Sequence, residues 1–142
     1  MYNILTIIDD LHKQVTVFHI GTIDENGYPN IKTMLPVNKR ECVRYIYFST
    51  NTSSQHVAQY KLNPNSCVYF NDVSSYKGVL LKGKMEVLED TGTKKRFWNV
   101  GDEIYYPGGV TDPDYCILKF TAQEGRYYHS LGSEDFYFNN TK

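Results

Sequence analysis

Apolar residues change their spacing along the chain, and this change separates helical from extended segments. Near the start, Ile4, Leu5, Ile8 and Leu11 recur at helical spacing, which predicts an amphipathic helix. From residue 15 onward, the apolar runs are mostly short, rich in β-branched and aromatic residues, and bounded by Asn, Gly or Pro. Such runs are typical of strands joined by turns, so the pattern predicts a mainly β fold.

About six segments have the pattern of strands. In the clearest of them, residues 78–88, apolar and charged side chains alternate, which indicates one buried and one solvated face. The Asn26-Gly27 pair predicts a tight hairpin between the first two strands. Short turns between about six strands favour a closed or nearly closed barrel, because closure removes exposed edges. The predicted strands are 15–24, 30–37, 43–50, 67–73, 78–88 and 115–122, with a further short strand considered at 126–130.

Two further short helices are expected between the strands. The run Asn51-Thr52-Ser53-Ser54 supplies capping residues before residues 55–62, and Asn63-Pro64 ends that helix. Residues 93–100 are predicted to form a turn or two of helix, followed by a long loop and, after residue 130, a polar tail with aromatic spots. No repeat or linker divides the chain, so we expect a single domain over residues 1–142.

Composition narrows the class of protein. Thirteen Tyr and seven Phe support strands over helices, because rings pack well on pleated surfaces. A net charge of −1 supplies no basic field for a nucleic acid or an anionic membrane, so neither is an expected partner. The cysteines are scattered, and the N-terminus lacks the features of a signal peptide. We therefore expect a soluble protein in the reducing cytoplasm.

Motifs of known catalytic chemistry are missing from the sequence, and the four histidines lack metal-ligand spacing, so no metal site is predicted. Polar residues instead gather where strands end and a helix begins. Hydroxyls, a cation and unpaired N–H groups at a helix N-terminus are the parts of a phosphate-binding site. A capped helix beside a solvated lysine explains the same residues, and the two interpretations stay open at this point. The residues are Lys32, Thr33, Ser49, Thr50, Ser53, Ser54, Gln55 and His56.

Four blocks of sequence, taken in order, resemble a known family. They are "HIGTIDENGYPNIKTM", "IYFSTNTSSQHVAQYKLNPNSCVYF", "LKGKMEVLED" and "PGGVTDPDYCILKFT". Together they are similar to the pyridoxamine 5′-phosphate oxidase-like split-barrel superfamily, in particular its general stress protein branch. The resemblance implies a six-stranded antiparallel split β-barrel, a homodimer, and flavin mononucleotide (FMN) bound between the two subunits.

The resemblance also implies roles for particular residues. Lys32 falls where the family has a basic residue, usually Arg, and His56 falls where the family usually has Lys. A lysine keeps the attraction to phosphate but loses bidentate geometry, and His56 is charged only below a reference pKa near 6.5. Trp98 is interpreted as a core or interface aromatic, or as a ring stacked near the partner's flavin. The implied FMN-binding residues are Lys32, Thr33, Met34, Ser49, Thr50, Ser54, Gln55, His56 and Trp98.

The expected function is that of an FMN-dependent oxidoreductase acting on a small-molecule redox substrate, with a stress-response role implied by the branch. No catalytic residue is predicted, because the flavin itself carries the redox chemistry. Pyridoxamine 5′-phosphate oxidase activity itself is not expected, since residues 132–137 are acidic and aromatic where full-length enzymes have a basic segment. The alternative is a non-enzymatic barrel that binds flavin or haem as a sensor or buffer.

Overall fold

The computed structural model describes residues 3–138 as one antiparallel sheet with three helices against it. The helices are α1 (Ile4–Gln14), α2 (Gln55–Leu62) and α3 (Thr91–Phe97). The strands are β1 (Phe18–Ile23), β2 (Pro29–Met34), β3 (Tyr45–Asn51), β4 (Asn65–Asp72), β5 (Lys77–Leu88), β6 (Tyr115–His129) and β7 (Gly132–Tyr137). The predicted mainly β class with short flanking helices is confirmed.

Capping side chains set where each helix begins. Asn3 accepts hydrogen bonds from the backbone N–H groups of Leu5 and Thr6 at the start of α1. Ser54 caps α2, which begins and ends at the residues predicted for it. Helix α3 begins two residues earlier than predicted, because the Asp90 carboxylate accepts the Thr93 N–H at 2.9 Å.

The sheet has the strand order β2-β1-β4-β5-β6-β3, and β7 pairs with the far end of β6. Strand β6 is long because its first half pairs with β3, its second half pairs with β7, and β5 follows it on the other side. The segments predicted as 115–122 and 126–130 are therefore one strand. The polar residues between them did not break it, because the ladder absorbs Gln123 as a bulge opposite Lys82 and Gly83.

The prediction of a polar tail after residue 130 is wrong for residues 132–137, because these residues form β7. Its polar side chains pair with the neighbouring strand: Arg126 contacts Asp135 at 2.7 Å, and His129 contacts Glu134 at 2.7 Å. Phe136 lies on the face opposite to Asp135 and is buried in the core. Cross-strand pairing therefore makes a seventh strand from a sequence that lacks a strong apolar pattern.

The sheet curls into a barrel whose two edge strands meet without pairing along their length. A bridge joins Pro36 to Phe48, and the Val37 N–H donates to the Tyr47 carbonyl at 2.9 Å. Over their described ranges, β2 and β3 form no ladder with each other. The predicted split barrel is therefore confirmed, and the split lies between β2 and β3.

Two apolar clusters hold this shape. The barrel interior contains four fully buried phenylalanines, and the rings of Phe18 and Phe70 stack at 4.8 Å between centroids. A second cluster lies on the outer face of β3 and β6, where Phe97 of α3 packs on Tyr47 at 4.5 Å. This second cluster fixes the loop between α3 and β6 close to the split. The four phenylalanines are Phe18, Phe48, Phe70 and Phe120.

Candidate functional site

A cavity of about 400 Å³ lies in the split of the barrel, and we call it the cleft. One wall comes from β2 and the residues that follow it, and another from the end of β3. Five of the predicted residues line the cleft: Lys32, Thr33, Met34, Ser49 and Thr50. Met34 leaves only 7% of its surface exposed because its side chain belongs to the main core.

The register of the strands explains how Lys32 reaches the cleft. Lys32 pairs with Ile20 of β1, whose side chain is in the core, so the two residues lie on the inner face of the sheet. Thr50 follows Phe48 by two residues and lies on the inner face of β3. Within the described part of the chain, the Lys32 ammonium forms no ion pair or hydrogen bond. An inner-face cation is thus available at an open edge of the barrel.

A second, smaller cavity of about 210 Å³ adjoins α2, and we call it the α2 pocket. Three predicted residues line it, namely Lys32, Gln55 and His56, so Lys32 is common to both cavities. Ser54 caps α2 and places its hydroxyl 3.1 Å from His56 Nε2. The Thr50 hydroxyl lies 2.8 Å from the same nitrogen.

The pKa of His56 in the structure is lower than the reference value used in the sequence analysis. Only 6% of its surface is exposed. Burial, with a smaller contribution from the Lys32 charge, lowers the pKa of His56 from 6.5 to about 4. The imidazole of the ligand-free protein is therefore neutral at pH 7, and the charge at this corner comes from Lys32.

Trp98 lies outside the lining of both cavities, among the residues described. Its ring packs against Tyr115 at 5.0 Å and Tyr106 at 6.2 Å between centroids, in the outer apolar cluster. Because Tyr106 does line the cleft, Trp98 supports the cleft wall from behind. The sequence left a core role and a role near the flavin open, and this packing favours the core role.

The third wall of the cleft was missed at the level of sequence. It consists of Asn99, Asp102, Tyr105 and Tyr106, from the loop between α3 and β6. Asp102 fixes the turn by accepting the Asn99 N–H at 2.9 Å. Burial, aided by neighbouring Cys116 and carboxylates, raises the pKa of Tyr106 to about 12, so its hydroxyl stays a neutral donor. Two adjacent tyrosines before Pro107-Gly108-Gly109 were the available signal.

The described residues hold no group of three or more His, Cys, Asp or Glu side chains able to bind a metal ion. The cleft instead offers a lysine, hydroxyls and aromatic rings, which suit an organic anion with a flat ring system.

No helix within residues 3–138 has the length and apolar character that crossing a membrane requires.

Comparison with protein families gives one match, which covers nearly the whole chain. The model of the family described as "Pyridoxamine 5'-phosphate oxidase like" matches residues 5–141. No curated protein matches the sequence.

Several solved structures are similar to this fold. A protein from Clostridium acetobutylicum, described as related to general stress protein 26 of the pyridoxinephosphate oxidase family, is 41% identical, with a TM-score of 0.83. The match covers 94% of this chain and 93% of that one. General stress protein 26 of Bacillus anthracis is 20% identical with a TM-score of 0.72, over 94% and 95% of the two chains. A pyridoxamine 5′-phosphate oxidase-related, FMN-binding protein of Nostoc punctiforme is 12% identical with a TM-score of 0.68, over 95% and 90%.

Proposed function

Because the chain belongs to the pyridoxamine 5′-phosphate oxidase-like family, we propose that it binds FMN in the cleft and acts as a flavin-dependent oxidoreductase on a small molecule. The observation that carries this proposal is the convergence of Lys32, Thr50 and the start of α2 at the split of the barrel. These groups come from three separate elements, and a solvated surface would not require them to meet.

The phosphate of FMN fits the corner where β3 ends and α2 begins. Lys32 supplies a permanent positive charge, and Thr50 and Ser54 supply hydroxyls nearby. The N-terminal N–H groups of α2 add a favourable partial charge for an anion. A phosphate at this corner would be held by one cation and several neutral donors.

In this proposal the flavin ring occupies the part of the cleft next to the loop between α3 and β6. Tyr105 and Tyr106 border this part, and Tyr106 is backed by Trp98. Flat aromatic walls exclude water and hold a ring system by stacking or edge contacts. Bound FMN supplies the redox chemistry by accepting and returning electrons, while the chain's own residues bind and orient it. With the redox chemistry on the flavin, the described residues that line the cleft need not supply an acid–base pair of the kind found in hydrolases.

A homodimer completes the proposal. The outer face of β1, β2, β4 and β5 carries two apolar cavities of about 500 and 470 Å³, and Ile31 lines both. Ile31 is 79% exposed on the outer face of β2. The next residue, Lys32, lies on the inner face of the same strand. Because one edge strand borders both surfaces, a second copy seated on the outer face would lie beside the cleft. Exposed apolar patches of this kind commonly mark interfaces.

The absorbance spectrum of freshly purified protein tests the cofactor. We expect flavin bands, and release of FMN rather than riboflavin or FAD when the protein is denatured. Turnover of a reductant by the holoprotein then separates an oxidoreductase from a sensor or buffer. A colourless protein that also fails to bind added FMN would contradict the proposal, and a haem Soret band would favour the non-enzymatic alternative. Likeness to the general stress proteins supports a role in stress response.

A further inference from the structure

Two hydroxyl groups contact the same ring nitrogen of His56 at the corner between the cleft and the α2 pocket. His56 Nε2 lies 2.8 Å from Thr50 Oγ1 and 3.1 Å from Ser54 Oγ. Thr50 and His56 are 5% and 6% exposed, so water competes weakly for these contacts. The other ring nitrogen, Nδ1, has no hydrogen-bond partner among residues 3–138, and the ring borders the α2 pocket.

The position of the ring proton decides what the two hydroxyls can do. If Nε2 carries no proton, a hydroxyl donates to it, and that hydroxyl proton is no longer free for an anion. If Nε2 carries the proton, it donates to a hydroxyl oxygen, and both hydroxyl protons remain available. Ser54 Oγ already accepts the Val57 N–H at 3.4 Å, which also leaves its proton free to donate outward.

In the ligand-free protein, the charges around the ring favour a neutral imidazole over an imidazolium. Lys32 from β2 is the charged side chain among the described residues that line the α2 pocket, and its charge opposes a second cation. The other polar side chains that contact the ring or line the α2 pocket are neutral: Thr22 from β1, Asn30 from β2, Thr50 from β3, Ser54 before α2, and Gln55 and Gln59 from α2. Burial acts in the same direction and lowers the pKa of His56 to about 4.

We propose that His56 is a positioning residue: in the FMN complex its neutral ring carries the proton on Nε2, so that Thr50 and Ser54 both donate to the phosphate. This inference rests on the proposed FMN function and concerns how the phosphate is recognised. Lys32 provides the charge, and His56 sets the direction of the hydroxyl hydrogen bonds. At the position where the family usually has a lysine, this chain therefore has a histidine that acts through Thr50 and Ser54.

Nitrogen-15 NMR of the ring tests this directly. Protein labelled at histidine is examined at pH 7.5 without ligand, with saturating FMN, and with riboflavin, which lacks the phosphate. In the FMN complex we expect a neutral His56 with Nε2 protonated and Nδ1 bare, assigned by loss of the signal in His56→Gln. A complex with Nδ1 protonated and Nε2 bare would overturn the inference. An imidazolium pattern would also overturn it, because His56 would then be a charged phosphate ligand.

Two substitutions supply an independent test by flavin titration. His56→Gln keeps an N–H donor near the place of Nε2, and we expect FMN affinity within about threefold of wild type. His56→Leu removes the donor, and we expect about a tenfold loss of FMN affinity. Riboflavin affinity should change little in either variant, which shows that the fold is intact. Equal FMN affinity in wild type and His56→Leu, or equal losses in both variants, would overturn the inference.

The outcomes separate this inference from the function on which it rests. If wild type binds neither FMN nor riboflavin, the proposed function fails and the inference fails with it. If wild type binds FMN while the His56 variants and the ring proton behave against expectation, the inference alone fails.

Discussion

The two sides of the barrel are built from similar antiparallel strands but differ in how those strands pair and in how deeply their side chains are buried. On the closed side, β4, β5 and β6 form long continuous ladders, and Val79, Leu81 and Phe120 are fully buried. On the split side, Pro36 after β2 forms a bridge with Phe48 of β3, and Lys32 and Thr33 remain exposed. The closed side fixes the shape. On the split side, β2 and β3 form no ladder with each other, and the Lys32 ammonium forms no ion pair or hydrogen bond within residues 3–138.

This difference shows where a small barrel can hold a ligand without losing its core. Filling the closed side with polar groups would leave them buried and unsatisfied, at a cost of about 1 to 3 kcal/mol each. At the split, Lys32 is exposed and borders both cavities, so water or a ligand can satisfy it. Substitutions on the closed side should therefore change stability, and substitutions on the split side should change binding.

The largest expected effect is a loss of stability on the closed side, from Gly83→Ala. A Cβ at Gly83 would lie 1.9 Å from the Thr121 carbonyl oxygen, so the β5–β6 ladder must separate to admit it. We expect the free energy of unfolding to fall by roughly 4 kcal/mol or more, measured by chemical denaturation. Gly132→Ala is the matched control, because nothing lies within 4 Å of its Cβ position. Similar stability in the two variants would mean that the ladder is less tightly packed than described.

The next effect is a loss of stability at acidic pH, and it arises from a second buried histidine, His12 of α1. His12 is 1% exposed, and neither of its ring nitrogens has a hydrogen bond among the described residues. Burial, followed by the charge of Arg40, lowers the pKa of His12 from 6.5 to about 4, while Asp9 opposes this and Lys13 adds to it. Because the unfolded chain binds the proton more readily, the stabilisation is present above pH 6.5 and is lost as the pH falls towards 4.

For ligand-free protein, each pH unit between the two pKa values corresponds to about 1.4 kcal/mol, so His12 should account for about 3 kcal/mol of stability lost by pH 4. His12→Leu should remove that part of the acid sensitivity, in unfolding measurements at a series of pH values from 7.5 to 4. An unchanged pH dependence in the variant would show that His12 takes up its proton without opening the core.

The interface proposal gives a smaller effect, on assembly rather than on folding. Ile31→Asp places a charge on the outer face of β2 in both copies of a symmetric dimer, and we expect about a 100-fold weaker dimer. Sedimentation across micromolar concentrations measures the change. Val73→Asp is the control, because Val73 is 73% exposed on the turn after β4, away from that face. A wild-type monomer, or equal dimers in both variants, would contradict the interface.

Local signals made much of the fold predictable from sequence. The capping run before residue 55 and the Asn26-Gly27 turn act within a few residues, so the bounds of α2 and the β1–β2 hairpin follow from them. Strand β7 and the continuity of β6 depend instead on pairing across the sheet, with Gln123 absorbed as a bulge. A sequence pattern read one segment at a time does not contain that pairing.

The residues of the candidate site also fall into those that the sequence could predict and those that depend on tertiary packing. Lys32 and Thr50 were accessible from sequence, because each lies at a strand end or a helix start with suitable chemistry. The wall formed by Asp102 and Tyr106 was not, since that loop reaches the cleft through the packing of Trp98 and Tyr106 on Tyr115. The neutral state of His56 also depends on burial, which the residue type alone does not reveal.

The most direct test of the central claim, that the split side binds the phosphate of FMN, is a flavin titration of Lys32→Ala by fluorescence quenching. We expect binding to weaken by about 1.5 to 3 kcal/mol, the usual contribution of a hydrogen bond to a charged group. Lys95→Ala, which removes an exposed lysine on α3, should bind FMN as wild type does. A folded Lys32→Ala protein with the wild-type dissociation constant would contradict the account, because the phosphate would then lie elsewhere.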